Sequence, residues 1–264
     1  MTPGTPMPGR QRRYPGGMQL TVLGSNGTYP TAGRPASGYL VTEGETTLWM
    51  DAGPGTYLAL CGEMDPRDLS GVFLSHRHPD HCTDILAFFH ALAYGERRIP
   101  PVPVLCPKDL AATLGEMVGN SAAWSSTFEF RTLSDGDTFT LGSMKISVAR
   151  TNHPPPTLAP RINANGRSLT YTADTGPCAA LEHHAAGSHV LLAEASLSEP
   201  RDNASTPHHM TGLEAGAMAS RAGVGRLVLT HIVPYLDPEK SLMEAESTFR
   251  GRVSLAVPGA RMRV

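Results

Sequence analysis

The stretch Val72-Phe-Leu-Ser-His-Arg-His-Pro-Asp-His-Cys82 begins as a short apolar run and ends with three histidines and an aspartate within six positions. Written as a pattern it is H-x-H-x-D-H: His76, His78, Asp80 and His81. The chain has 11 histidines in all, so this is a cluster and not background. His76 and His78 stand two apart, and on an extended segment such side chains leave one face. Imidazole nitrogen and carboxylate oxygen are ligand types that borderline ions such as Zn2+ accept, with a water in the open position. Asp80 and His81 lie in the next turn and can face a second ion.

Further ligands would come from strand ends and loops far along the chain. Three residues qualify: His153, before Pro154-Pro-Pro156; Asp174, in Tyr171-Thr-Ala-Asp-Thr-Gly176; and His231, after the strand Arg226-Leu-Val-Leu-Thr230. A lone histidine at a strand end more often packs or caps, and Asp174 before Thr-Gly is by itself an ordinary turn residue. The cluster at 76–81 is what raises all three together.

Working outward, Gln19–Leu23 alternates and is broken by Gly24-Ser-Asn-Gly27, a strand signal. Gly38–Thr42 and Thr46–Asp51 flank the turn Glu43-Gly-Glu45, which predicts a hairpin. Val72–Ser75 predicts a short buried strand, Asp84–Tyr94 a helix, Val102–Leu105 a strand, and Pro107–Val118 a helix with Pro in its first turn. In the second half, Phe128–Thr132, Thr138–Leu141 and Lys145–Arg150 predict strands. Arg161-Ile162 and Ser168–Thr172 flank the turn Asn163-Ala-Asn-Gly166, and Val190–Ala193 predicts another strand. Thr211–Ala222 predicts a helix closed by Gly223. Strands precede helices twice over, which predicts two sheets packed face to face with helices outside, an α/β/β/α sandwich. Val72–Ser75 and Leu227–Thr230 each run through a hydroxyl residue into a histidine, so two buried strands would deliver imidazoles to one edge.

The totals narrow the function classes. The chain has 264 residues, 40% hydrophobic and 17% charged, the profile of a chain that buries a core. Net charge is -2, without the basic excess of a protein built to grip long nucleic acid, so a small substrate is favoured over a polymer. Cys61, Cys82, Cys106 and Cys178 are scattered and read as reduced thiols, with Cys82 the one to watch beside the cluster. Residues 1–16 read as a flexible Pro/Gly-rich leader without the apolar core of a secretory signal, and 17–264 as one domain. No apolar run approaches a membrane span of ~18 residues, and the expected location is the cytoplasm.

On these motifs the chain resembles the metallo-β-lactamase superfamily, in its tRNase Z-like and cyclic-nucleotide phosphodiesterase branch. Leu48-Trp-Met-Asp-Ala-Gly-Pro-Gly55 is similar to the first family motif, whose Asp51 braces the site, and His76–His81 to the second. His153, Asp174 and His231 fall where the remaining motifs belong. The resemblance implies one ion on His76, His78 and His153, another on Asp80, His81 and His231, and Asp174 between them. The expected ions are divalent, Zn2+ first and Mn2+ as the other choice. Leu191-Leu-Ala-Glu-Ala-Ser196 and His208-His-Met-Thr-Gly-Leu-Glu214 are similar to the branch segments that supply a glutamate, here Glu194, and a histidine before a helix, here His209. His208 is the rival for that second role. Asp80, Glu194 and His209 are the expected catalytic residues. A carboxylate–imidazole couple beside such a site is an arrangement for protonating a leaving alkoxide.

True tRNase Z enzymes carry a long arm between the third and fourth motifs, and only a proline loop and a tight hairpin join His153 to Asp174 here. The resemblance therefore implies hydrolysis of 3′,5′-cyclic nucleotides to nucleoside monophosphates, by attack of metal-activated hydroxide on phosphorus. Ser25, Asn26 and Ser37 lie in N-terminal segments similar to those of such enzymes and are candidate substrate contacts. The alternatives are a lactonase or thioesterase, a tRNA 3′ endonuclease, and a non-catalytic scaffold. Related enzymes often pair through the helix after the cluster, where Ile85-Leu-Ala-Phe-Phe89 is apolar, so a homodimer is expected, without a stable nucleic-acid or membrane partner.

Overall fold

A computed structural model describes residues 16–96, 99–199 and 208–264; positions 1–15 of the expected leader lie outside the described residues. The first half of the chain forms β1 (Gln19–Gly24), β2 (Gly38–Glu43), β3 (Thr46–Met50), α1 (Thr56–Glu63), a 3-10 turn at Pro66–Asp68, β4 (Gly71–Phe73), α2 (Pro79–Cys82), α3 (Asp84–Tyr94), β5 (Val102–Pro107), α4 (Leu110–Val118), α5 (Ser121–Thr127) and β6 (Phe128–Leu133). The second half forms β7 (Thr138–Leu141), β8 (Met144–Arg150), β9 (Leu158–Ala164), β10 (Arg167–Tyr171), α6 (Ala179–Ala185), β11 (Val190–Glu194), α7 (Gly212–Ala222), β12 (Arg226–Thr230), α8 (Pro238–Thr248), β13 (Arg252–Leu255) and β14 (Arg261–Arg263).

Two seven-stranded sheets result, in the orders β14-β1-β2-β3-β4-β5-β6 and β13-β12-β11-β10-β9-β8-β7. Side-chain alternation decides the layering. In β2, Tyr39 and Val41 face the space between the sheets, and Leu40 faces the helices. In β3, Leu48 and Met50 point inward and Trp49 outward, against Phe88 of α3 at 5.9 Å between ring centroids. In β11, Val190 and Leu192 point inward, and Leu191 and Ala193 join the second helical layer with Leu181, Ala215 and Met218. Both faces of these strands are covered, which is why they read as near-continuous apolar runs. The expected α/β/β/α sandwich is what forms.

Pro107 is the last residue of β5 and not a helix-starting proline; Asp109, at φ 69, breaks the chain before α4 begins at Leu110. The expected turn at 163–166 tightens to Asn165-Gly166, with φ of 47 and 71. Those values make a two-residue primed turn, which suits the strand twist. Most of the apolar run of α3 goes into the chain's own core, since Ile85, Phe88, Phe89 and Leu92 are all buried, and Tyr94 is its one exposed large apolar side chain. Among the described residues no helix is long and apolar enough to cross a membrane.

Strand direction positions the site. β3, β4, β5 and β6 run parallel in the first sheet, and β10, β11, β12 and β13 in the second. β8 is antiparallel to β9, and β9 to β10, so β8 runs the same way as β10. The C-terminal ends of β3, β4, β8, β10, β11 and β12 therefore each hand on a polar residue to the site: Asp51, His76, His153, Asp174, Glu194 and His231.

Candidate metal centre

The loop after β4 carries His76, His78, Asp80 and His81 onto the one-turn helix α2, with Pro79 at its first position. His76 Nε2 lies 3.0 Å from His78 Nδ1, which in turn lies 3.2 Å from His153 Nε2. Asp174 Oδ2 faces this trio, 3.5 Å from His76 Nε2 and 3.8 Å from His153 Nε2. On the other side, His81 Nε2 and His231 Nε2 stand 3.0 Å apart, and His231 Nε2 is 3.2 Å from Asp80 Oδ2. Asp174 Oδ1 lies 3.2 Å from His81 Nε2 and 3.4 Å from His231 Nε2. All seven sequence candidates thus converge, in two groups with one Asp174 oxygen turned to each.

Four of the five imidazoles are held through the outer ring nitrogen as well. Ser75 Oγ meets His76 Nδ1 at 3.0 Å, Asp51 Oδ2 meets His81 Nδ1 at 2.7 Å, His208 O meets His153 Nδ1 at 3.1 Å, and Ser196 Oγ meets His231 Nδ1 at 2.7 Å. Such contacts fix which nitrogen points inward. Asp51 itself accepts from Ser75 N–H (2.7 Å), Ser75 O–H (2.8 Å) and Tyr171 O–H (2.9 Å).

Charge in the cluster is settled by burial and neighbours. Burial, aided by the charge of His81, holds His76 well below the usual imidazole range, and burial also lowers His78 and His153. These are neutral imidazoles, the form that ligates. Burial opposes a charge on Asp80, but hydrogen bonds from His231 and His81 outweigh it and hold the carboxyl well below its ordinary value. Burial opposes a charge on His81 too, and the carboxylates of Asp174 and Asp51 overcome it, raising that imidazole well above its ordinary value.

The Glu194 carboxylate, fully buried at the end of β11, lies 3.0 Å from Nδ1 of the half-buried His209. Burial disfavours a proton on His209, but the charge and hydrogen bond of Glu194 outweigh it and raise the pKa to about 9. The His209 ring stacks on His231 at 5.9 Å and stands 5.0 Å from His153, above the cluster. His208 is exposed and gives its carbonyl, not its ring.

The three expected substrate contacts are not among the seven convergent residues. Ser25 gives its hydroxyl to Ala256 O at 2.7 Å and Asn26 its amide to Thr31 Oγ1 at 3.1 Å, while Ser37 is fully buried. Ser25 and Asn26 line a separate cavity of about 280 Å³ with Arg34, Ile232 and Val257, which none of the seven convergent residues lines. Cys82 is core: burial pushes its thiol up to about 12, and it donates to His78 O at 3.3 Å.

The model of the beta-lactamase superfamily domain matches residues 46–232, about seven-tenths of the chain. The chain belongs to the metallo-β-lactamase superfamily, in its tRNase Z-like branch. An uncharacterized protein of Mycobacterium tuberculosis (strain ATCC 25618 / H37Rv) is 36% identical over 251 residues, covering 91% of this chain and 90% of that protein. Ribonuclease Z of Mycolicibacterium paratuberculosis is 30% identical over 275 residues, covering 94% of this chain and 98% of the enzyme. The crystal structure of the metallo-β-lactamase fold protein YhfI from Bacillus subtilis superposes with a TM-score of 0.85 at 27% identity, covering 93% of this chain and 99% of that one.

Metallo-β-lactamase superfamily proteins are metal-dependent hydrolases, and the donor set of this chain fits divalent cations. Ligands at ~2.1 Å from a tetrahedral ion stand ~3.4 Å apart, close to the nitrogen–nitrogen distances of 3.0–3.2 Å between these imidazoles. Asp174 Oδ1 is buried without a hydrogen-bond partner. No Lys or Arg pairs with Asp51, Asp80 or Asp174 among the described residues, so the pocket draws positive charge onto His81 instead.

Several contributors escaped the sequence. Thr28 donates its backbone N–H to Asp80 Oδ2 at 2.9 Å, and Thr175 donates its own to Glu194 Oε1 at 2.6 Å. Backbone donors leave no residue-type signal. Ser75 and Tyr171 sit inside quoted motifs, yet their partner Asp51 is remote in sequence. Among the described residues, four of the six non-glycine positions with positive φ lie here: Thr28, Asp51, His231, and Ala173 before Asp174. Backbone strain of this kind concentrates at functional sites.

Proposed function

We propose that the protein is a phosphodiesterase that hydrolyses 3′,5′-cyclic nucleotides to nucleoside monophosphates, with two divalent cations, Zn2+ in first place and Mn2+ as the other choice. The carrying observation is the Glu194–His209 couple, 3.0 Å apart, beside the seven convergent ligand-type residues. His76, His78 and His153 would hold one ion, Asp80, His81 and His231 the other, with Asp174 shared. Bound there, the cations would supply Lewis-acid stabilisation of the phosphoryl oxygens and a water acidic enough to attack at neutral pH.

The chain's own residues do the rest. His209 is held by Glu194 through Nδ1, which leaves Nε2 free to give a proton to the departing ribose oxygen as the P–O bond breaks. A ribose alkoxide is a poor leaving group, and protonating it in the transition state is worth ~10²–10⁴-fold. Asp80 is pinned by Thr28 N–H and His231, which fixes the carboxylate that would help hold the second cation. The near-neutral charge and the short connection from His153 to Asp174 support a small diester. We also propose a cytoplasmic homodimer; Leu58 of α1 and Tyr94 of α3, on helices packed against each other, are exposed apolar side chains that support the pairing.

The test is hydrolysis of 3′,5′-cAMP, cGMP, cCMP and cUMP by metal-loaded protein, with Asp80→Ala and His209→Ala alongside. Turnover lost in both variants is expected. No turnover of any cyclic nucleotide, by protein shown to hold two ions, rejects the substrate. The relationship to Ribonuclease Z favours one second reading, cleavage of an RNA 3′ end, so a precursor tRNA belongs in the same assay.

A further inference from the structure

Between the ligand cluster and the Glu194–His209 couple lies the hydroxyl of Ser196, in contact with both. Ser196, two residues past the end of β11, is 4% exposed. Its Oγ lies 2.7 Å from Glu194 Oε2, 2.7 Å from His231 Nδ1 and 2.9 Å from His231 O. His231 turns its other nitrogen, Nε2, to His81, Asp80 and Asp174.

An imidazole that offers the Nε2 lone pair to a cation carries its proton on Nδ1. That N–H needs an acceptor, and among the described residues Ser196 Oγ is the one opposite it. A serine hydroxyl has a single hydrogen. Once Oγ accepts from His231, its own hydrogen goes to Glu194 Oε2, the charged and closer of the two remaining partners. On the other oxygen of the same carboxylate, Glu194 Oε1 accepts from His209 Nδ1 and Thr175 N–H. One carboxylate therefore orients two imidazoles, His209 directly and His231 through Ser196.

We infer that Ser196 is a positioning residue that fixes the tautomer of His231 and joins the second metal position to the His209 couple through Glu194. The chain His231 Nδ1–H → Ser196 Oγ–H → Glu194 Oε2 makes Nε2 available to a cation without leaving a buried N–H unpaired. It also braces His231 at φ 54, a conformation that β-carbon-bearing residues resist. The inference rests on the metal assignment proposed above, but not on the identity of the substrate.

The test reads metal binding rather than turnover. In Ser196→Ala the Nδ1 proton loses its acceptor, and affinity for the second ion, measured by competition with a chromogenic chelator, should fall by ~10–100-fold. The first ion should stay within about twofold, and Ser196→Thr, which keeps the hydroxyl, should bind both ions as the wild type does. In Co2+-loaded protein the Nδ1 proton of His231 should give a paramagnetically shifted resonance that exchanges slowly with water, and this should be displaced in Ser196→Ala. Unchanged affinity and an unmoved resonance in Ser196→Ala would overturn the inference, and so would equal losses in the Ala and Thr variants. If Ser196→Ala does not fold, the wild-type spectrum decides alone: a His231 N–H that exchanges as fast as that of the partly exposed His78 overturns it. No cyclic nucleotide enters these measurements, so their failure and that of the phosphodiesterase reading are separate results.

Discussion

His209 can act as an acid only while it keeps its proton. Burial works against that proton, and the Glu194 carboxylate 3.0 Å away more than compensates, raising the pKa to about 9. The protonated form is present below that value and is lost as pH rises through it. The alkaline limb of the kcat/KM profile should therefore fall near pH 9 in the wild type. In Glu194→Gln the carboxylate charge is gone while burial remains, so the limb should move down toward the ordinary imidazole value of about 6.5. An alkaline limb that stays in place in Glu194→Gln would mean that His209 does not protonate the leaving group. Asp51 tests a different role at the same scale. It accepts two hydrogen bonds from Ser75, one from Tyr171 and one at His81 Nδ1, so Asp51→Ala removes the brace of a ligand and not a ligand. Metal affinity should drop by ~10–100-fold, read by chelator competition, with the seven convergent residues all still present.

At the scale of elements, the loop after β1 and the loop after β12 lie against each other, and their contact positions His231. Gly27 donates its N–H to Ile232 O at 3.1 Å, and Thr28 follows with its bond to Asp80. A β-carbon on Gly27 would meet the His231 carbonyl oxygen at 2.5 Å, and backbone cannot swing aside as a side chain does. Gly27→Ala should push His231 out of place and cost on the order of 10²-fold in kcat/KM, the scale of a 1 Å misplacement. Gly62 in α1 is the control, since a β-carbon there meets nothing within 4 Å. Gly62→Ala should leave activity unchanged and gain up to ~1 kcal/mol in a denaturant melt. Equal activity in the two variants would show that the loop contact does not set the site. These loops also mark where the sequence stops being legible. The strands with both faces covered announce themselves, and Thr211–Gly223 reads as a helix because its capping box and terminal glycine are local signals. α8 has a readable start in Asp237-Pro238, yet only Ser241 and Ala245 are buried, so it lacks an apolar stripe to extend that signal. β13 and β14 are edge strands with half-exposed residues, defined by what they pair with and not by their own pattern. The ligand-type residues were legible because four fall within six positions; Thr28, Ser75 and Ser196 were not, because each acts through a partner that only folding brings near.

At the scale of the whole molecule, the two groups of ligand-type residues both straddle the sandwich. His76, His78, Asp80 and His81 follow β4 of the first sheet, and His153, Asp174 and His231 follow β8, β10 and β12 of the second. Each group contains residues from both sheets. A cation held by either group is therefore a cross-link between halves whose other cross-links are the apolar interlayer and a few polar contacts such as Tyr171 to Asp51 and Tyr39 to Thr230. Any ion that binds the native state and not the unfolded chain stabilises by mass action, by about 2.7 kcal/mol at a free concentration 100 times its Kd. Removal of metal should lower Tm, and adding back Zn2+ or Mn2+ should restore it. The second group can be emptied selectively, so Asp80→Ala should show a smaller metal-dependent rise in Tm than the wild type, while His76→Ala combined with Asp80→Ala should show almost none. An unchanged Tm on chelation, in wild type and variants alike, would mean that these residues hold no cation in the native state. A calorimetric scan with and without chelator, run on the wild type and both variants, therefore reads how much of the native state's stability each group contributes through its cation.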